Sequence, residues 1–146
     1  FPRHLFRQIC RKSPNLTVLR FPGYALYNGQ PEHRMRPLLE DYAEISGVGG
    51  LRELRRVDFC CAQLLDDPVV VSIARGCSRL RNLGLRACDN VSDIGLLAVA
   101  EHLAGTLVHI NISCCYFKEA SVRKLVYRCR GLRSLDLCYC KGLNSS

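Results

Sequence analysis

The chain has 146 residues, 48% of them hydrophobic, and carries 21 Lys and Arg against 13 Asp and Glu, for a net charge of +8. That is one domain's worth of sequence with enough apolar residues for a core, which excludes a disordered acidic or basic tail. No run of 18 apolar residues occurs, so no helical membrane span is expected here.

Of the basic residues, 17 are Arg, and they are spread along the chain rather than gathered in one block. This speaks against a nucleic-acid-binding arm. Ten Cys occur, at 10, 60, 61, 77, 88, 114, 115, 129, 138 and 140. The sequence is too apolar and too regular to need disulfide staples, so these read as reduced, mostly buried small hydrophobes of a reducing compartment. The chain begins at Phe1 and stops in mid-pattern at Ser146, and so reads as part of a longer protein.

In chain order, Leu5, Phe6 and Ile9 suggest the end of a helix. Leu16, Leu19 and Phe21 suggest a short strand, followed by a long insertion over 22–37 that holds Tyr24, Tyr27 and His33. Met35 to Ser46 offers Leu38, Leu39, Tyr42 and Ile45 at helical spacing, and Gly47-Val-Gly49-Gly50 reads as a turn. That turn is no phosphate loop, lacking the Lys-Ser/Thr ending. Leu54, Val57 and Phe59 suggest a second strand. Asp66 to Gly76 suggests a helix with Pro68 in its first turn and Val70, Ile73, Ala74 and Cys77 behind it.

Leu80-Arg-Asn-Leu83-Gly-Leu85-Arg-Ala-Cys88 then supplies the clearest template, L-x-x-L-x-L-x-x-C. Ser92 is the expected N-cap of the next helix, with Ile94, Leu97, Ala98 and Leu103 on its buried side. Leu107, Ile110, Ile112 and Cys115 repeat the template. Lys118 to Arg130 repeats the helix, with Val122, Leu125, Val126 and Cys129 on one face. Leu132, Leu135, Leu137 and Cys140 repeat the strand once more. Successive units starting at Leu54, Leu80, Leu107 and Leu132 are 26, 27 and 25 residues apart, within the range of leucine-rich repeats.

The expected fold is therefore α/β: a leucine-rich-repeat solenoid of about five units in one domain over 1–146, with units starting near Leu16, Leu54, Leu80, Leu107 and Leu132. Parallel strands would line a concave face and helices would stack behind. Neither end shows a polar cap, so further chain or a neighbouring subunit is expected to cover the ends.

The stretch Cys77-Ser-Arg-Leu80-Arg-Asn-Leu83-Gly-Leu85-Arg-Ala-Cys88-Asp-Asn-Val91-Ser92-Asp93-Ile94-Gly95-Leu96 resembles the cysteine-containing leucine-rich-repeat subfamily. Within it, the chain looks most like the repeat region of F-box and leucine-rich-repeat proteins. The resemblance covers residues 51–146 well and 1–50 loosely. It implies a substrate receptor of a cullin-RING ubiquitin ligase, with a cullin adaptor held through an F-box. The chain itself holds no F-box, which has a Leu-Pro opening and a Trp near its end; there is no Trp here. Other departures are Ala62 in place of the terminal Cys, Ala104 in place of the Cys before Leu107, and a gap of 38 residues from Leu16 to Leu54. The same repeats occur in structural proteins of cilia, so a non-enzymatic scaffold subunit is the alternative.

No C-x-x-C pair supports a zinc site, and the close pairs Cys60-Cys61, Cys114-Cys115 and Cys138-x-Cys140 point to packed thiols instead. No Cys–His signature supports catalysis. No metal, cofactor or enzymatic activity is expected. Sequons at Asn15, Asn90, Asn111 and Asn144 read as unused.

Counting from the first Leu of each unit, positions three, five and seven are expected to face the concave surface, position seven holding Pro22, Cys60, Arg86, Ser113 and Cys138. The candidate partner-binding residues there are Arg56, Asp58, Asn82, His109, Asn111, Ser134 and Asp136, joined by Arg86 from position seven. These mixed polar rows suit a protein partner. Arg52, Arg55, Arg79, Arg81, Arg130 and Arg133 form a basic edge at the strand starts, read as solvated stems or as contacts to an acidic partner or RNA. Nucleic acid is the weaker of these, since no aromatic residues interleave to stack bases. No membrane contact is expected, and the expected location is the cytoplasm, with nucleus or cilium as alternatives.

Overall fold

A computed structural model describes residue 8 and residues 11–20, 51–62 and 65–143. The expected helix over 35–46, the insertion over 22–37 and the residues Leu5, Phe6 and Ile9 lie outside the described residues.

Among the described residues the elements are, in order, β1 (Val18–Arg20), β2 (Arg56–Asp58), α1 (Asp67–Gly76), β3 (Asn82–Gly84), α2 (Asp93–His102), β4 (His109–Asn111), α3 (Glu119–Arg128) and β5 (Ser134–Asp136). The five strands form one parallel sheet in the order β1-β2-β3-β4-β5. Its register is set by the template: Leu19, Val57, Leu83, Ile110 and Leu135 are Cα partners in one row. A one-residue slip would turn every core side chain outward, so the period-two pattern fixes the pairing.

Each strand starts in the same way. The carbonyl at position two accepts two amides of the following unit: Arg55 O takes Arg81 N and Asn82 N at 2.9 Å, and Arg81 O takes Val108 N and His109 N at 2.8 and 2.9 Å. Each strand also ends in the same way. Position eight has positive φ in four units, at Cys61 (59°), Ala87 (53°), Cys114 (59°) and Tyr139 (57°). None is Gly, so the turn is held by its neighbours rather than by an easy conformation.

Leu54, Phe59, Leu80, Leu85, Leu107 and Ile112 are fully buried and share one core with the inner faces of the helices. Truncating any of these Leu to Ala would cost about 2–5 kcal/mol. In the last unit Leu132, Leu135 and Leu137 are only partly buried, because no further described unit packs on them.

The helices begin at defined caps. Asp66 Oδ1 accepts from Val69 N at 3.4 Å, with Pro68 in the first turn of α1, and Ser92 Oγ accepts from Ile94 N at 3.2 Å. Lys118 makes no side-chain cap; its backbone amide donates to Asp93 Oδ1 at 3.0 Å instead.

Two expected helix faces need correction. In α2 the buried residues are Gly95, Leu96, Val99 and Ala100, while Ile94 is 66% exposed and Leu97 and Ala98 are intermediate. This helix is apolar on nearly all sides, so its period leaves the face open, and the Asp67 carboxylate of the preceding unit, which takes the amides of Ser92 and Gly95, sets the rotation instead. In α3 the buried face is Ser121, Val122 and Leu125, and Val126 is 49% exposed. Val126 occupies the place of Ala74 in α1 and Ala100 in α2, both buried; α3 is the last described helix. The α1 face of Val70, Ile73, Ala74 and Cys77 and the cap at Ser92 agree with expectation.

Candidate functional site: the solvent face of the sheet

Positions four and six of each unit point into the core, so positions three and five point out. The register places Val18, Arg56, Asn82, His109 and Ser134 in one row. Arg20, Asp58, Gly84, Asn111 and Asp136 form the second row. Together the two rows, Val18 apart, line an open depression of about 360 Å³. Seven of the eight candidate residues lie in it: Arg56, Asp58, Asn82, His109, Asn111, Ser134 and Asp136.

The two rows behave differently. Position five is engaged by its own turn. Asp58 Oδ1 accepts from Cys60 N at 3.1 Å, Asn111 Oδ1 from Ser113 N at 3.0 Å, and Asp136 Oδ1 from Cys138 N at 3.0 Å. These side chains thus stand in for a backbone acceptor two residues ahead. The Cys138 amide, followed by its thiol, holds the Asp136 carboxyl below the usual carboxylate range. The same contact, with Asp136 ionised, pushes the Cys138 thiol up.

Position three is unengaged. Among the described residues, the side chains of Arg56, Asn82, His109 and Ser134 make no hydrogen bond or ion pair, and three of them, Arg56, His109 and Ser134, are exposed. Cation, amide, imidazole and hydroxyl thus stand in one line on the outward side of the sheet, Asn82 half-buried among them. Gly84 interrupts the second row. A Cβ there would sit 2.5 Å from Asp58 Oδ1, so the missing side chain gives that carboxylate its room. Arg20 and Gly84 also line the depression, a role visible in the repeat register although neither stands out by residue type.

Arg86 lies elsewhere. It leaves the strand at position seven, and a hydrogen bond to Cys114 raises its pKa. Position seven as a whole does not share one environment: Ser113 is buried, its Oγ donating to Asn111 Oδ1 at 2.6 Å, whereas Cys138 is exposed. The expectation that position seven continues the outward face fails at Ser113, because the Asn111 turn draws it inward.

Behind the sheet, the terminal cysteines form a ladder. Cys88 Sγ donates to Phe59 O at 3.3 Å, Cys115 Sγ to Leu85 O at 3.1 Å, and Cys140 Sγ to Ile112 O at 2.9 Å. In each case a thiol at position nine reaches the position-six carbonyl of the preceding unit. Burial pushes all three thiols up. That is the opposite of what a nucleophile or metal ligand needs. Among the described residues no group of three or more His, Cys, Asp and Glu could hold a metal ion. No helix among them is long and apolar enough to cross a membrane.

No protein-family model matches the chain. Over 73 residues, half of its length, it is 39% identical to F-box protein MAX2 homolog B of Petunia hybrida, of which the match covers 10%. It is 37% identical to F-box protein MAX2 homolog A of the same species over 73 residues. It is 32% identical over 84 residues to F-box protein MAX2 of Arabidopsis thaliana, covering 12% of that protein. The matches span about a tenth of the length of these curated relatives. The chain is thus similar to part of F-box proteins from two plants.

Proposed function

We propose that the chain is a stretch of leucine-rich-repeat solenoid whose concave strand face recognises a protein, as the substrate-receptor part of an F-box-type ubiquitin ligase. The observation that carries the reading is the unengaged row Arg56–Asn82–His109–Ser134, displayed by strands in strict register in a chain similar to F-box proteins. A repeat array presents such rows on a rigid scaffold, so a partner meets side chains whose spacing is already fixed. Mixed polar groups of this kind give a partner specificity through hydrogen bonds, with the position-five turns holding the backbone beneath them. The role is non-enzymatic: the buried thiols are held protonated, and His109 stands on the opposite side of the sheet from them. In this reading a cullin adaptor is held by an F-box elsewhere in the full protein.

A photo-crosslinking amino acid at His109 or at Ser134 tests this in cells. The expected result is a crosslink to one protein whose ubiquitination falls when the receptor is removed. Crosslinks no more frequent than from Lys124, on the exposed side of α3, would overturn it.

A further inference from the structure

A second depression, of about 710 Å³, opens at the starts of the strands. It is distinct from the sheet face. Its floor is Gly105, Thr106, Leu107 and Val108, from the unit of β4. The two flanking sets of units each raise a bank of arginines: Arg55, Arg79 and Arg81 on one side, Arg130 and Arg133 on the other. The unit in the middle breaks the basic pattern, carrying Val108 where its neighbours carry Arg81 and Arg133. A groove with a neutral floor and cationic walls results.

Among the described residues no acidic side chain lines this groove. Among the described residues Arg79 alone of the five has a carboxylate partner, Glu53 at 2.6 Å, and that pair is exposed. Arg130 lies over the Tyr127 ring, 5.4 Å from its centre, which steadies the guanidinium without neutralising it. The carbonyls of Arg55, Arg81 and Val108 are already occupied by the amides of the next unit, and the charged groups lining the groove are all donors.

We propose that this groove binds an acidic peptide segment of a partner protein, in an extended conformation. Arg81 and Arg133 stand two strand spacings apart, about 10 Å, which admits one extended chain between them. Such a chain points successive side chains to opposite sides, so carboxylates on either side reach the two banks at once. Guanidinium groups match carboxylates two bonds at a time. Single-stranded RNA is disfavoured because, among the described residues, no aromatic ring lines the groove to stack a base. The proposal does not depend on what the sheet face recognises.

The test is fluorescence anisotropy of the intact protein with a fluorescein-labelled polyglutamate peptide, alongside polyglutamine, polyuridine and tripolyphosphate probes. The expected result is salt-sensitive binding of polyglutamate, none of polyglutamine, and a loss of about tenfold or more in Arg81→Glu/Arg133→Glu. Lys124→Glu/Arg128→Glu makes the same change of charge on exposed positions of α3 and is expected to cost less than about twofold. Arg81→Gln/Arg133→Gln, checked by circular dichroism, replaces the reversal if that variant fails to fold. Equal losses in the groove and α3 variants would overturn the proposal. So would polyuridine or tripolyphosphate binding more tightly than polyglutamate.

Discussion

The carboxylate of Asp67, in the first turn of α1, accepts the backbone amide of Gly95 in the next helix, Oδ1 lying 2.9 Å from the nitrogen. The same carboxylate takes Ser92 N at 2.8 Å and Ser92 Oγ at 2.5 Å. One acid thus satisfies the start of the following helix, and one unit later Asp93 takes the backbone amide of Lys118, the N-cap of α3. This clamps neighbouring helices in rotation as well as in distance.

Gly95→Ala is therefore expected to destabilise, although Ala is the better helix former. A Cβ at Gly95 would sit 2.6 Å from Asp67 Oδ1 and 3.0 Å from Val91 Cγ1. The Asp67 carboxylate is held by three hydrogen bonds and cannot swing aside, so the expected loss is about 1–3 kcal/mol. In an Asp67→Ala background the penalty should shrink toward zero or reverse. Denaturant unfolding of the two single variants and the double variant checks the coupling.

The thiol ladder gives a second prediction. Cys115 is buried and donates to Leu85 O, so Cys115→Ala removes both a packed sulfur and a hydrogen bond between units. The expected loss is about 1–3 kcal/mol by urea unfolding. Alkylation of the folded protein should label the exposed Cys138 well before Cys88 or Cys115.

The same thiols predict an alkaline instability. Burial raises the Cys88 pKa above its ordinary value of 9.0, so the unfolded chain loses its proton first. The contribution is intact below pH 9 and declines above it, where the unfolded chain binds fewer protons than the folded one. The slope is about 1.4 kcal/mol per pH unit for such a thiol. Cys88→Ala should flatten the stability profile above pH 9; an unchanged slope would contradict this account.

The two outward rows should separate by mutation. Asn111→Ala removes an acceptor for both Ser113 N and Ser113 Oγ and leaves a buried hydroxyl short of a partner. The expected loss is about 1–3 kcal/mol. His109→Ala, on the unengaged row of the same strand, should stay within about 0.5 kcal/mol of the parent by thermal unfolding.

Strand register was legible in the sequence because Leu80, Leu83 and Leu85 recur at fixed spacing and alternate strictly with outward residues. The cap at Ser92 was legible from its residue type just before an apolar run. The face of α2 was not: Ile94 through Ala100 contains no polar residue, and only the Asp67 clamp from another unit chooses among rotations. Seven of the eight candidate site residues could be placed because a period of two assigns them outward once the register is known. Arg86 falls outside the depression because it lies past the strand, where the chain turns at Ala87. The basic edge was readable as spaced arginines, but the groove was not, since it depends on the neutral stretch Gly105 to Val108 between them.

Affinity purification of the full-length protein from its own cells, followed by mass spectrometry, tests the central claim most directly when run beside Arg56→Ala/His109→Ala/Ser134→Ala. The account predicts a cullin and its adaptor with both proteins, and at least one further protein lost with the triple variant alone. Recovery of a fixed set of structural proteins with no ligase component, unchanged in the triple variant, would contradict it.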